Sequence, residues 1–174
     1  MIKSFDGLTP RIAASAFISE EAHIIGDVDI GENSNVWPGA VIRGDLGKIT
    51  IGQFTNIEDN AVIHSGTTTA LTCDMVIGDE VTIGHGAVLN GRFVGNHVLI
   101  GMNASILHDS VVGSHCIVGA NCVVGEKMVI PDYSLVLGVP GKIRGRLSQA
   151  QLEQIDWAGQ IYKDLVMKYK KQNT

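Results

Sequence analysis

Aliphatic residues recur at intervals of six: Ile18, Ile24, Ile30, Val36 and Ile42, then Ile51, Ile57 and Ile63, then Ile77, Ile83 and Leu89. A last run covers Val94, Ile100, Ile106, Val112, Val118, Val124, Ile130 and Val136. Glycine directly follows many of them, as in "DIGE", "TIGQ", "VIGD", "TIGH" and "LIGM". An α-helix cannot use this period, because 3.6 residues per turn would carry the apolar positions around its circumference. Strands of two or three residues joined by glycine-permitted bends can use it. Each hexad then makes one flat side, and three hexads close a triangular coil. Coils stacked at about 4.8 Å bury a column of Ile and Val along the axis. The period predicts an all-β solenoid shaped as a triangular prism of a little over six coils.

The breaks in the period locate a site. Ile42 to Ile51 is three residues longer than a hexad, Ile63 to Ile77 is eight longer, and Leu89 to Val94 is one shorter. We read the polar run "HSGTTTALTCD" as a loop bulging from a corner, since it lacks an inward aliphatic. With these corrections Ile42, Ile63, Leu89 and Ile106 share one side of successive coils. The next residues, Arg43, His64, Asn90 and Leu107, then form an outward column with neighbours about 4.8 Å apart. His64 and Asn90 are adjacent in it and can converge on one ion, since Zn–N bonds are only about 2.0–2.1 Å. His85 follows Ile83 by two residues and lies on the preceding side, near a corner. Its side chain is directed to the equivalent pair on a neighbouring copy, and a three-fold assembly would close three such shared sites.

After "LGVPGKIRG" the period changes. Ser148 and Gln151 form a capping-box pattern, and Leu152, Ile155, Ala158, Ile161, Leu165 and Tyr169 follow at three- and four-residue steps. This predicts a β-solenoid domain over 1–147 and an amphipathic helix over 148–172 packed on it, with Trp157 and Met167 taken as packing residues. His23, His97, His108 and His115 read as solvated turn residues. Cys73, Cys116 and Cys122 read as small packing residues, an odd count that argues against a disulfide framework. A net charge of -5 offers no basic stripe for nucleic acid. No apolar run approaches the roughly 20 residues of a membrane helix, and the first residues lack an apolar leader core. A cytoplasmic protein with neither a nucleic-acid nor a membrane partner is the expectation.

The segments "NVWPGAVIRGD", "NIEDNAVIH", "IGHGAVLNG", "VLIGMNASIL" and "LGVPGKIRG" together resemble the γ-class carbonic anhydrase-like branch of the hexapeptide-repeat proteins. That resemblance covers essentially the whole chain. It implies a left-handed parallel β-helix and a homotrimer with a zinc ion at each subunit interface, where metal-activated hydroxide attacks CO2 to give bicarbonate. It assigns the metal to His64, His85 and Asn90, the last standing where the family normally has a third histidine. Arg43 and Asp45 match a pair that orients bicarbonate and forms an interface ion pair, and Asp59 matches an acid that partners the arginine across the interface. Glu58 replaces a glutamine that hydrogen-bonds the hydroxide, and Tyr162 resembles a helix tyrosine bordering the site. Arg43, Asp45 and Asp59 equally suit a purely structural salt-bridge network.

An amide oxygen is a harder, weaker donor than imidazole. The metal is therefore zinc held with an extra water, or another ion such as Co, Fe, Mn or Mg, or the site is empty. Two other readings stand beside the anhydrase. One is a hexapeptide acyltransferase or thioesterase using a CoA thioester, with His85 as general base. The other is a catalytically silent trimeric scaffold.

Overall fold

Strand register shows the hexads stacking rung on rung in the computed structural model, which describes residues 1–66 and 74–172. On the first face Ile24, Ile42, Ile63, Leu89, Ile106 and Val124 pair in succession, all in parallel. The second face stacks Ile30, Ile51, Ile77, Val94, Val112 and Ile130. The third stacks Ile18, Val36, Ile57, Ile83, Ile100, Val118 and Val136. Of these residues all but the half-buried Ile18 are buried. Each contributes about 1.5–3 kcal/mol of apolar burial.

The small residues Ala22, Ala40, Ala61, Ala87, Ala104 and Cys122, two before each aliphatic of the first face, fill the axis where a larger side chain would collide. Cys116 does the same on the third face. Both thiols are free and buried, and burial pushes their pKa up. Cys73 lies outside the described residues.

Glycine turns some of the bends, as expected, with Gly26, Gly39 and Gly86 in left-handed conformation, but not all of them. One corner is turned in left-handed conformation by Asn33, Phe54, Glu80, His97, His115 and Tyr133, none of them glycine. The glycine after each aliphatic serves close stacking instead: a Cβ on Gly101 would lie 2.4 Å from the Ala120 nitrogen of the next rung. Left-handed backbone costs an L-residue about 1–2 kcal/mol, and side-chain stacking along the corner offsets it. His115 lies flat on Tyr133 at 4.7 Å, Arg146 covers that ring at 4.4 Å, and Lys163 covers Phe54 at 4.8 Å. Three of the turn histidines, His97, His108 and His115, are therefore not simply solvated, whereas His23 is exposed. His97 bridges Glu80 at 3.3 Å and Asp156 of the helix at 2.9 Å, and His108 lies 3.9 Å from Glu126.

Most strands have two or three residues, but His23–Ile30 and Val41–Ile51 run unbroken around a corner. They join the first and second faces into one 12-stranded sheet, while the third face belongs to an 8-stranded sheet. The register steps from Gly26↔Gly44 to Val28↔Ile49, which places the three-residue excess at 45–48 on this corner. Pairing of Ile51 with Ile77 puts the eight-residue excess in the loop after Ser65, largely outside the described residues.

The prism ends where Ser134–Leu137 pairs antiparallel with Lys142–Arg146. A helix, Gln149–Gln172, then runs back along the third face. The Ser148 N–H donates to Gln151 Oε1 at 2.9 Å and the Gln151 N–H to Ser148 Oγ at 3.4 Å, closing the capping box. Ile155 anchors the helix against Ile117 and Leu147, and Lys170 Nζ reaches the Ser15 carbonyl at 2.9 Å. Trp157 and Met167 correct the packing expectation: they are 66% and 58% exposed, because the buried stripe runs through Leu152, Ile155 and Tyr162 instead. No helix among the described residues is long and apolar enough to cross a membrane.

Candidate metal centre

The outward column of the first face carries one cluster. Arg43 and His64 stand side by side on paired strands, and Asn90 follows Leu89, the partner of Ile63. The corner excess brings Asp45 back to them. Its Oδ1 lies 2.9 Å from His64 Nε2, and its other oxygen takes an ion pair from Arg43. Burial works to raise the Asp45 carboxyl, but the hydrogen bonds from Arg43 and His64 outweigh it and hold the group below its ordinary value. The Asn90 N–H is tied to the Ile106 carbonyl at 2.8 Å, whereas its Oδ1 is buried with no hydrogen-bond partner among the described residues. An orphaned buried oxygen of this kind costs about 1–3 kcal/mol unless a cation or donor reaches it.

His85, in the turn after Thr82–Ile83, belongs to a second cluster. Its Nδ1 lies 3.0 Å from Asp59 Oδ2, and its Nε2 lies 3.2 Å from Glu58 Oε2 and 3.3 Å from the Tyr162 hydroxyl. Glu58 is fixed by its neighbours: its Oε1 accepts from Asn56 Nδ2 at 3.1 Å, and its Oε2 from the His85 N–H at 2.9 Å. Behind it, Trp37 Nε1 donates to Asn35 Oδ1 at 2.6 Å and Asn56 Oδ1 at 2.9 Å, and the Trp37 ring meets Tyr162 edge-on at 5.4 Å. Burial, then the nearby charges of Glu58 and Asp59, push the Tyr162 hydroxyl pKa well above its ordinary value. A cleft of about 430 Å³ opens beside this cluster, walled by Met102, Trp157 and Ile161.

The structure thus gathers Arg43, Asp45, His64 and Asn90 in one place, and Glu58, Asp59, His85 and Tyr162 in another. No three His, Cys, Asp or Glu side chains among the described residues gather around a single point within the chain. Within the chain Asp59 pairs with His85. Sequence reasoning missed Trp37, Asn35 and Asn56. The available signal was asparagine one residue before the inward aliphatic in two consecutive rungs, "SNVW" and "TNIED".

The residues fit a divalent ion. An imidazole with Nδ1 on a carboxylate leaves Nε2 to a metal, the usual arrangement of a ligating histidine. The unpartnered Asn90 oxygen beside His64 supplies the complementary half.

A family profile described as Dynactin subunit 5 matches residues 11–170. The probable carbonic anhydrase of Methanocaldococcus jannaschii is 47% identical over 144 residues, 83% of this chain and 88% of that one. Gamma carbonic anhydrase 2, mitochondrial, of Arabidopsis thaliana is 33% identical over 168 residues, 95% of this chain and 60% of that one. Among solved structures, a hexapeptide transferase family protein from Anaplasma phagocytophilum superposes with a TM-score of 0.89 at 32% identity, covering 97% of both chains. That superposition identifies the prism as the left-handed β-helix built from hexapeptide repeats. Within this fold the chain belongs to the γ-class carbonic anhydrase-like branch.

Proposed function

We propose that this chain is a γ-class carbonic anhydrase-like lyase that converts CO2 to bicarbonate as a cytoplasmic homotrimer. Its metal sites lie between subunits. The observation that carries the reading is the splitting of the donors: Asn90 Oδ1, buried and unpartnered, sits beside His64 on one face, while His85 offers Nε2 from a separate corner. His64 and Asn90 of one copy and His85 of the next would hold the ion. Zinc is the family's metal, and two imidazoles with an amide oxygen also suit Co, Fe, Mn or Mg. When bound, the ion supplies Lewis acidity, lowering the pKa of water towards about 7.

The chain's own groups do the remaining work. The Tyr162 hydroxyl, protonated at neutral pH, stands 3.3 Å from His85 Nε2 and is a donor at the edge of the site. Arg43, half-exposed and oriented by Asp45, presents a guanidinium that can receive the negative charge of bicarbonate. Met102, Trp157 and Ile161 give the apolar CO2 molecule a wall that a charged product does not favour. The buried free thiols of Cys116 and Cys122 suit a reducing interior.

Elemental analysis of protein purified without chelator, sedimentation and stopped-flow CO2 hydration test the proposal together. A rate no greater than the metal-free control, with zinc or cobalt loaded, rejects it. The apolar cleft beside His85 also supports a second reading, transfer or hydrolysis of an acyl group from a CoA thioester. A calorimetric titration with CoA that gives no heat removes that option.

A further inference from the structure

Glu58, the buried carboxylate among the described residues, has no lysine or arginine, unlike the half-buried Asp45 and Asp29. Asp45 has Arg43, and Asp29 has Arg11 and Lys48. The Glu58 side chain is only 8% exposed, and no lysine or arginine among the described residues pairs with it. Its partners are the Asn56 amide, the His85 backbone N–H, the Tyr162 hydroxyl and the His85 ring. A buried carboxylate so placed is costly until a positive charge offsets it.

The position of that charge follows from distance. Glu58 Oε2 lies 3.2 Å from His85 Nε2. Two donors each about 2.1 Å from one ion, and 90–109° apart around it, are separated by about 3.0–3.4 Å. The two atoms therefore have the spacing of adjacent ligands on a single metal. Two hydrogen bonds, from the Asn56 amide and the His85 N–H, hold the carboxylate, so it is preorganised for the role.

We propose that Glu58 is itself a ligand of the site's divalent ion. With His85 of its own chain and His64 and Asn90 of the neighbouring copy, it completes a set of two imidazoles, one amide oxygen and one carboxylate. This rests on the shared-site reading above. The carboxylate compensates for the amide at position 90, since an anionic oxygen restores the affinity that a neutral one forfeits. It also shifts relative affinity from zinc towards ions that accept more oxygen, Mn2+ and Fe2+.

The test measures Mn2+, Co2+ and Zn2+ binding to the assembled protein by calorimetry, with the visible absorption of bound Co2+ as a second readout. Glu58→Gln is expected to weaken Mn2+ binding by at least about tenfold and to change the Co2+ spectrum, while Zn2+ falls less. Glu126→Gln, which removes a carboxylate from an exposed turn, leaves all three affinities unchanged. Glu58→Gln protein that keeps its assembly and binds Mn2+ and Co2+ as the wild type does overturns the ligand role and leaves the shared site standing. Wild-type protein that binds none of the three ions overturns both. Should Glu58→Gln fail to assemble, Glu58→Asp carries the test, because it keeps the charge but withdraws the oxygens by one methylene. The same loss is expected there, and wild-type Mn2+ affinity in that variant refutes the proposal.

Discussion

Replacing Gly26 by alanine tests whether the corner that shapes the prism also shapes the metal-site residues. Gly26 adopts φ 79° where His23–Ile30 turns from the first face to the second, directly opposite Gly44. A Cβ there would lie 2.3 Å from the Gly44 oxygen and 2.9 Å from its carbonyl carbon. Comfortable contact needs roughly 3.5 Å, so that carbonyl must retreat by about 1 Å. The left-handed backbone costs alanine about 1–2 kcal/mol. Forcing the neighbouring rung aside adds about 1–3 kcal/mol, as overpacking does elsewhere. The sum, about 2–5 kcal/mol, corresponds to a fall in Tm of roughly 4–20 °C for a chain of this size.

Gly44 directly precedes Asp45, which holds His64, so metal affinity should fall together with stability. Differential scanning calorimetry at neutral pH reads the first effect, and titration with Co2+ the second. Gly125→Ala is the control, because a Cβ at that position meets no atom within 4 Å. A Gly26→Ala protein that melts within about 2 °C of wild type would refute the steric argument.

Asn90→His replaces the orphaned amide oxygen by an imidazole and should raise zinc affinity by at least about tenfold, with CO2 hydration rising in parallel; unchanged zinc content would count against position 90 as a ligand. Ile155→Ala empties the notch between Ile117 and Leu147 and should cost about 2–4 kcal/mol. It should also make Gln149–Gln172 the first segment cut in limited proteolysis. Burial raises the Asp29 carboxyl, but the hydrogen bonds from Arg11 and Lys48 outweigh it and hold the group below its ordinary 3.8. The unfolded chain then binds the proton first, so Asp29 stabilises the fold above that pH and the contribution fades as pH falls through the lower folded value. Asp29→Asn should flatten the Tm profile in that acid range, and an unchanged acid slope would show that the shift carries no stability.

The faces of the prism were legible because strand side chains alternate with a period of two, so counting from each inward aliphatic fixes what points outward. Ile63 and Leu89 had to pair once the eight-residue excess was assigned to a corner, and His64 and Asn90 followed. The second cluster was legible only in pieces. Tyr162 meets His85 across 77 residues, and that meeting depends on where Ile155 seats the helix, which no local pattern encodes. His97 was misread for the same reason, since its partner Asp156 lies on that helix. The helix carries more apolar residues than one stripe can bury, so composition alone could not say that Trp157 and Met167 would face outward. The glycines directly after the aliphatics were misread because they look like turn signals, whereas here they mark the closeness of the next rung.

The antiparallel pairing of Lys142–Arg146 on Ser134–Leu137 has a consequence for solubility. A stack of parallel two-residue rungs is chemically a short piece of cross-β spine, and its bare upper edge would template another chain as readily as its own. The final strand runs the opposite way, slips register between Leu135 and Val136, and brings Lys142, Arg144 and Arg146 to that edge. On the third face an incoming rung therefore meets mismatched hydrogen-bonding groups and positive charge. That face is closed to further rungs of the same kind.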